Sequence, residues 1–183
     1  MVYTPPHSQP RYVSDSEDMD LWFAAKNGNY ELLQECCENK EYFNEYLDMG
    51  YKFNGDIYTP LQIAIAHRKT EAALFLIEHG AKLGCTMGKG VTLLHMTIQC
   101  KLLRVARELL RQGVKIDTRN DLGQTPLYLA VWNNNQEFVK LFMKYHANPN
   151  ALDMNNTTPM SIAKLRKNGE ALECMQLDFT DIY

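Results

Sequence analysis

Four threonines, Thr59, Thr92, Thr125 and Thr158, follow one another at intervals of 33 residues without a gap. Each opens a similar segment: "YTPLQIAIAHRKTEAALFLIEHGAKL", "VTLLHMTIQCKLLRVARELLRQGVKI", "QTPLYLAVWNNNQEFVKLFMKYHANP" and "TTPMSIAKLRKNGEALECM". A fixed period of this kind marks a repeat architecture. No unit can bury its apolar face alone, so neighbours must stack to make a continuous core. In the first three segments Leu61, Leu94 and Leu127 stand two residues after the threonine, and Gly80, Gly113 and His146 stand 19 after those leucines. Between them lie two apolar, helix-like runs. The threonine suits the N-cap of the first run. Pro60, Pro126 and Pro159 suit its first position, where a missing N–H costs nothing. Glycine closes the second run in the left-handed conformation, and His146 takes that place once.

These segments resemble the ankyrin repeat, whose units open on T-P-L-H-x-A, continue as a helix pair and are joined by β-turn fingers. Thr125-Pro126-Leu127-Tyr128-Leu129-Ala130 is the nearest match, and His95 stands at the histidine position of the motif. The resemblance covers residues 19–176 and implies an all-α solenoid with repeats at 19–54, 55–87, 88–120, 121–153 and 154–176. Residues 1–18 read as a disordered acidic lead-in and 177–183 as a tail, with no further C-terminal box expected after residue 176. The first repeat is an outer cap, "LWFAAKNGNYELLQECC", with no Thr-Pro. Its closing glycine, Gly50, comes 29 residues after Leu21, ten more than in the other repeats. "ENKEYFNEYLDMG" supplies the excess, and Tyr42, Phe43, Tyr46 and Leu47 give it one apolar face, as an extended or broken second helix would have. The finger that follows is short. Ala24, Ala64, Ala130 and Ala163 allow close stacking of the first helices, and Leu74, Leu76, Leu109, Leu110, Leu141 and Phe142 are expected to fill the second-helix layer.

Composition excludes several alternatives. A formal net charge of −3 and the absence of a dense Lys/Arg run do not suit a protein that lives on phosphate contacts, so no nucleic-acid partner is expected. The apolar stretches are too short to span a membrane, and the N-terminus has no apolar signal region. Five cysteines without a C-x-x-C pair suit reduced thiols in the cytoplasm or nucleus. No hydrolase, zinc-protease, P-loop or dinucleotide motif is present, and the "MGKGVT" run lacks the first P-loop glycine and falls where the repeat requires a finger. An enzyme or metal protein on this scaffold would need groups converging around His67, Cys100 and His95. The chain is therefore read as non-catalytic, without cofactor or metal, and monomeric on its own. In this family the histidine at the His95 position bonds backbone between repeats.

The family binds proteins through its finger tips and the exposed ends of its first helices. Carried over by register, these places hold Lys26 and Asn27 in the first repeat and Asp56, Tyr58, Ala66 and His67 in the second. They hold Lys89, Val91, Gln99 and Cys100 in the third, Leu122, Gln124, Trp132 and Asn133 in the fourth, and Met154, Asn155 and Thr157 in the fifth. Trp132 comes straight after the apolar face of its helix. It is either a binding anchor, as exposed tryptophans often are, or a ring folded back on its own finger or on Tyr128. "SDSEDMD" is either a solvated lead-in or a kinase context for Ser14 and Ser16, and its acids also suit the dipole of the first helix. The function implied is that of an adaptor or of a regulatory or inhibitory subunit. Size and repeat number resemble the compact ankyrin inhibitors of cell-cycle kinases, which shorten the first helix of their second repeat, and the somewhat longer inhibitors of Rel-type transcription factors.

Overall fold

A computed structural model describes residues 12–13 and 20–176. Ser14, Ser16 and the tail from residue 177 lie outside the described residues. The chain divides into two compact units, one ending at Gly88 and the other beginning at Lys89.

The first unit comprises β1 (Tyr12–Val13), α1 (Asp20–Asn27), α2 (Tyr30–Glu38), α3 (Lys40–Tyr46), β2 (Gly50–Phe53), β3 (Asp56–Tyr58), α4 (Pro60–Ala66), α5 (Thr70–Glu78) and β4 (Thr86–Met87). α1 packs on α2 and α4, and α4 packs on α5. Leu21, Trp22, Leu33, Leu61, Ile63, Ile65 and Leu76 make the core. Leu74, expected there, is only half-buried, because Phe75, Leu76 and Ile77 fill the layer.

The second helix of the first repeat breaks where the insert begins. Asn39 ends α2 and caps α3, accepting the Tyr42 N–H at 3.2 Å. Phe43 and Leu47 are buried, and the Phe43 ring meets Phe75 edge-on at 6.4 Å and His79 at 5.8 Å. Tyr42 and Tyr46 stack on each other at 4.6 Å and stay half-buried. The insert thus leans on the second repeat through the face that its sequence marks out.

The finger after it departs from expectation. Gly50 does not close a helix in the left-handed region; it opens β2, which pairs parallel with Tyr12–Val13 on one side and antiparallel with β3 on the other. Part of the lead-in read as disordered is therefore a strand. β2 and β3 join through Asn54 (φ 52°) and Gly55 (φ 94°). Two consecutive left-handed residues are what a tight turn between right-twisted strands requires.

The second unit comprises β5 (Val91–Thr92), α6 (Leu93–Cys100), α7 (Leu103–Arg111), α8 (Pro126–Trp132), α9 (Gln136–Lys144), α10 (Pro159–Leu165) and α11 (Gly169–Gln176). α8 packs on α6 and α10, and α9 on α7 and α11. The first helices begin where the threonines place them. The Thr59, Thr125 and Thr158 hydroxyls accept the N–H groups of Gln62, Tyr128 and Ser161 at 3.3, 3.2 and 3.0 Å. α4 is seven residues long, like α8 and α10, so the second repeat has no shortened first helix.

Each helix pair turns through a left-handed residue. Arg68 (φ 58°), Lys101 (φ 58°), Asn134 (φ 53°) and Lys167 (φ 52°) recur at the 33-residue period, and Gly28 (φ 72°) does the same in the first repeat. The conformation costs a residue with a Cβ about 1–2 kcal/mol, and only glycine or asparagine adopts it readily. Lys101→Gly is accordingly expected to raise stability by about 1 kcal/mol. A urea midpoint that does not rise would mean that the lysine side chain offsets its own strain.

Candidate protein-binding face

The fingers of the second unit are built alike. Asn120 Oδ1 accepts the N–H groups of Leu122 and Gln124 at 3.0 and 2.9 Å, and Asp153 Oδ1, 33 residues on, accepts those of Asn155 and Thr157 at 2.9 and 2.8 Å. Burial pushes the Asp153 carboxyl up, but the donors from Thr157 and Asn155 outweigh it and hold the group below its usual range. Neighbouring tips are tied through backbone: the Asp121 N–H donates to the Lys89 carbonyl and the Met154 N–H to the Leu122 carbonyl, both at 3.0 Å. Because backbone makes these links, the side chains of Leu122 (57% exposed) and Met154 (71% exposed) are left to solvent.

The first helices are fastened to the following finger. His95 is fully buried. Its Nε2 lies 3.0 Å from the Gln124 carbonyl, which can only accept, so Nε2 carries the proton. Nδ1 then accepts from the Thr92 hydroxyl at 2.8 Å and the Thr92 N–H at 3.3 Å. The ring thus bonds backbone of the next repeat, with both nitrogens spent on structure. Tyr128, one period later, reaches Thr157 Oγ1 at 3.3 Å.

Trp132 ends α8 half-exposed, at 45%. Its ring lies parallel to Tyr128, with 8° between planes and 6.3 Å between centroids. The Arg166 guanidinium stands 4.2 Å from the ring centroid. The ring rests on Tyr128, and nearly half of it still faces solvent. The fifth repeat supplies two residues that the sequence reading missed. Leu165, one period after Trp132, is 77% exposed, and Arg166 covers the indole. The period itself could have found both. Neither stands out by composition, because "KLRKN" is a polar stretch that suits the outer end of a repeat array.

The other second-unit residues fall as follows. Lys89, Gln99, Asn133 and Asn155 are exposed, whereas Val91, Gln124 and Cys100 are half-buried. Gln124 helps to hold its own finger, accepting from the Asn120 amide at 3.3 Å.

In the first unit the named residues gather around Phe53, which the sequence reading did not single out. Its ring lies 6.4 Å from Tyr58 and 5.7 Å from His67, and the Lys26 ammonium sits 4.1 Å from its centroid. Burial, together with the charges of Lys26 and Lys69, pushes His67 below the ordinary histidine range. The Tyr58 carbonyl accepts the Trp22 indole N–H at 3.2 Å. Asp56 and Ile57 are exposed at the hairpin. Among the described residues no group of three or more His, Cys, Asp and Glu side chains is placed to hold a metal, and the five cysteines are free thiols.

Residues 84–153 match the family model for ankyrin repeats, in three copies. The chain carries ankyrin repeats. The α1/α2, α4/α5 and α10/α11 helix pairs lie outside the matched residues. A putative ankyrin repeat protein of Rickettsia felis is 30% identical over 115 residues, 62% of this chain and 40% of that protein. One from Fowlpox virus is 40% identical over 65 residues, 36% of this chain and 35% of that protein. A putative palmitoyltransferase of Danio rerio is 25% identical over an alignment that takes in 93% of this chain and 31% of that protein. The chain spans 40% or less of the length of these relatives. Ankyrin repeats generally mediate protein–protein interaction, and among the described residues no helix is long and apolar enough to cross a membrane.

The buried ankyrin histidine makes stability depend on pH. Burial pushes His95 down from 6.5, the Gln124 contact only partly offsetting this. The unfolded chain therefore binds the proton more readily. The contribution of His95 is complete above about pH 6.5 and is lost as pH falls toward the lower folded value. The melting temperature should fall between about pH 7 and pH 5. His95→Gln should reduce that slope, because Gln62 already makes the same capping contact in the second repeat, accepting the Thr59 N–H at 2.9 Å without titrating. An unchanged slope would remove His95 as its source.

Proposed function

We propose that this chain is a non-catalytic adaptor or regulatory subunit, working in the cytoplasm or nucleus, whose second unit holds a protein partner on its finger tips and first-helix ends. The observation that carries this reading is the exposure of Leu122, Met154 and Trp132 on a framework tied together by backbone hydrogen bonds. Side chains carried on backbone that is already tied require less ordering on contact, and indole is prominent among binding anchors. The line from Met154 to Trp132 is continuous: the Met154 finger carries Thr157, Thr157 meets Tyr128, and Tyr128 stacks on Trp132. An odd number of cysteines without a C-x-x-C pair suits a reducing compartment.

The test compares partner capture by the wild type, Trp132→Ala, Met154→Asp and Lys144→Ala, the last on a second helix. All four must first show intact far-ultraviolet circular dichroism. Trp132→Ala should weaken the captured partner by about thirtyfold, the cost of truncating one anchor, and Met154→Asp should weaken it too. Equal capture by the wild type and all three variants, or loss with Lys144→Ala alone, would place the binding face elsewhere.

A further inference from the structure

We infer that the Trp132–Arg166 stack is a receptor for a carboxylate, and that the partner engages it through an acidic peptide segment carrying an apolar side chain. The inference rests on the reading of the second unit as a protein-binding face and specifies the chemistry of what binds there.

Arg166 stands just past the end of α10, exposed, with its guanidinium plane carbon 4.2 Å from the Trp132 centroid. With the guanidinium carbon over the indole, the N–H donors on its open side stay available, and a guanidinium fork matches a carboxylate in two parallel hydrogen bonds. The indole restricts the long side chain beforehand, so less entropy remains to be lost when an acid arrives. Trp132 is itself fixed by Tyr128.

Among the described residues no carboxylate is paired with this fork. The turn 132–135 reads Trp-Asn-Asn-Asn and the turn 164–168 reads Lys-Leu-Arg-Lys-Asn. Together they hold three cations and no carboxylate, in a chain whose net charge is −3. The next acids along the sequence, Glu137 and Glu170, stand in the first turns of α9 and α11, and Glu170 is already paired with Lys140. Among the described residues no ion pair is formed by Lys164, Arg166 or Lys167. Leu165, 77% exposed between Lys164 and Arg166, gives an apolar side chain of the segment a place to lie beside the charge. Hydrophobic and cationic groups so interleaved fit an acidic–aliphatic peptide better than a uniformly charged polymer.

A phage-displayed random dodecapeptide library selected on the full chain provides the test. Wild-type protein should enrich peptides with an Asp or Glu next to a Leu, Ile or Phe. The synthetic consensus peptide should lose about tenfold in affinity with Arg166→Gln, as for one charge-assisted pair, and a similar factor when its acid is replaced by the amide. Trp132 is one of two tryptophans, and the other, Trp22, is buried, so peptide binding should also change the Trp132 emission. Peptides that depend on Trp132 or Met154 but show no acid requirement would leave the protein-binding face standing and overturn this inference. Tight, Arg166-dependent binding of a single-stranded oligonucleotide in place of acidic peptides would overturn it in favour of phosphate. A selection returning nothing that depends on Trp132, Leu122 or Met154 would overturn both the face and the receptor.

Discussion

Leu127→Ala lowers the stability of the fold by about 2–5 kcal/mol, the range for emptying a buried leucine site. Leu127 is wholly buried on α8, and α8 packs between α6 and α10. The hole therefore opens in the middle of the second unit, where neither neighbour can close it without leaving its own partner. Stability in such arrays is a sum over adjacent repeats, so the damage should reach the third and fifth repeats as well as the fourth. Urea denaturation measures the loss, and amide hydrogen exchange shows where it falls. An unchanged midpoint would remove Leu127 from the core. Loss of exchange protection confined to α8 and α9 would show that the repeats are less coupled than their packing implies.

Gly123→Ala should cost about 2–4 kcal/mol, for two separable reasons. Gly123 has φ +75°, which penalises any side chain. A Cβ there would also lie 2.9 Å from the Met154 nitrogen and 3.2 Å from Asp153 backbone carbons, none of which can swing aside. The same Met154 N–H makes the bond to the Leu122 carbonyl. Gly113 separates the two costs: its φ is +81°, but a Cβ would meet nothing within 4 Å. Gly113→Ala should therefore lose only the conformational part, about 1–2 kcal/mol. Equal losses at both positions would mean that the fingers are not held at the spacing described.

What could be read from the sequence was local chemistry repeated at a fixed period. A capping threonine ahead of an apolar run, with proline at the first helical position in three of the four cases, places a helix start without reference to the rest of the chain, and the starts at Pro60, Leu93, Pro126 and Pro159 follow. The insert was legible for the same reason, since Phe43 and Leu47 mark one face of a short helix. Gly50 was misread because a glycine after a helical run suggests a cap, and its pairing with Tyr12 depends on residues far away in sequence. Lys101 and Lys167 gave no warning of left-handed backbone, because the turn imposes it on whatever residue arrives. The Arg166–Trp132 stack joins residues 34 apart. Only a strict use of the period, extended into the polar last repeat, sets them side by side. The proposed binding face rests on the identity of the exposed side chains, and no local rule says what they meet.

The backbone ties from Lys89 to Asp121 and from Leu122 to Met154 have an evolutionary consequence. The spacing of the tips is set by atoms that every residue possesses. Natural selection can therefore exchange the side chains at 122 and 154 as freely as a printer changes type in a fixed frame. A new partner could be acquired there by point substitution, with the helices underneath left untouched.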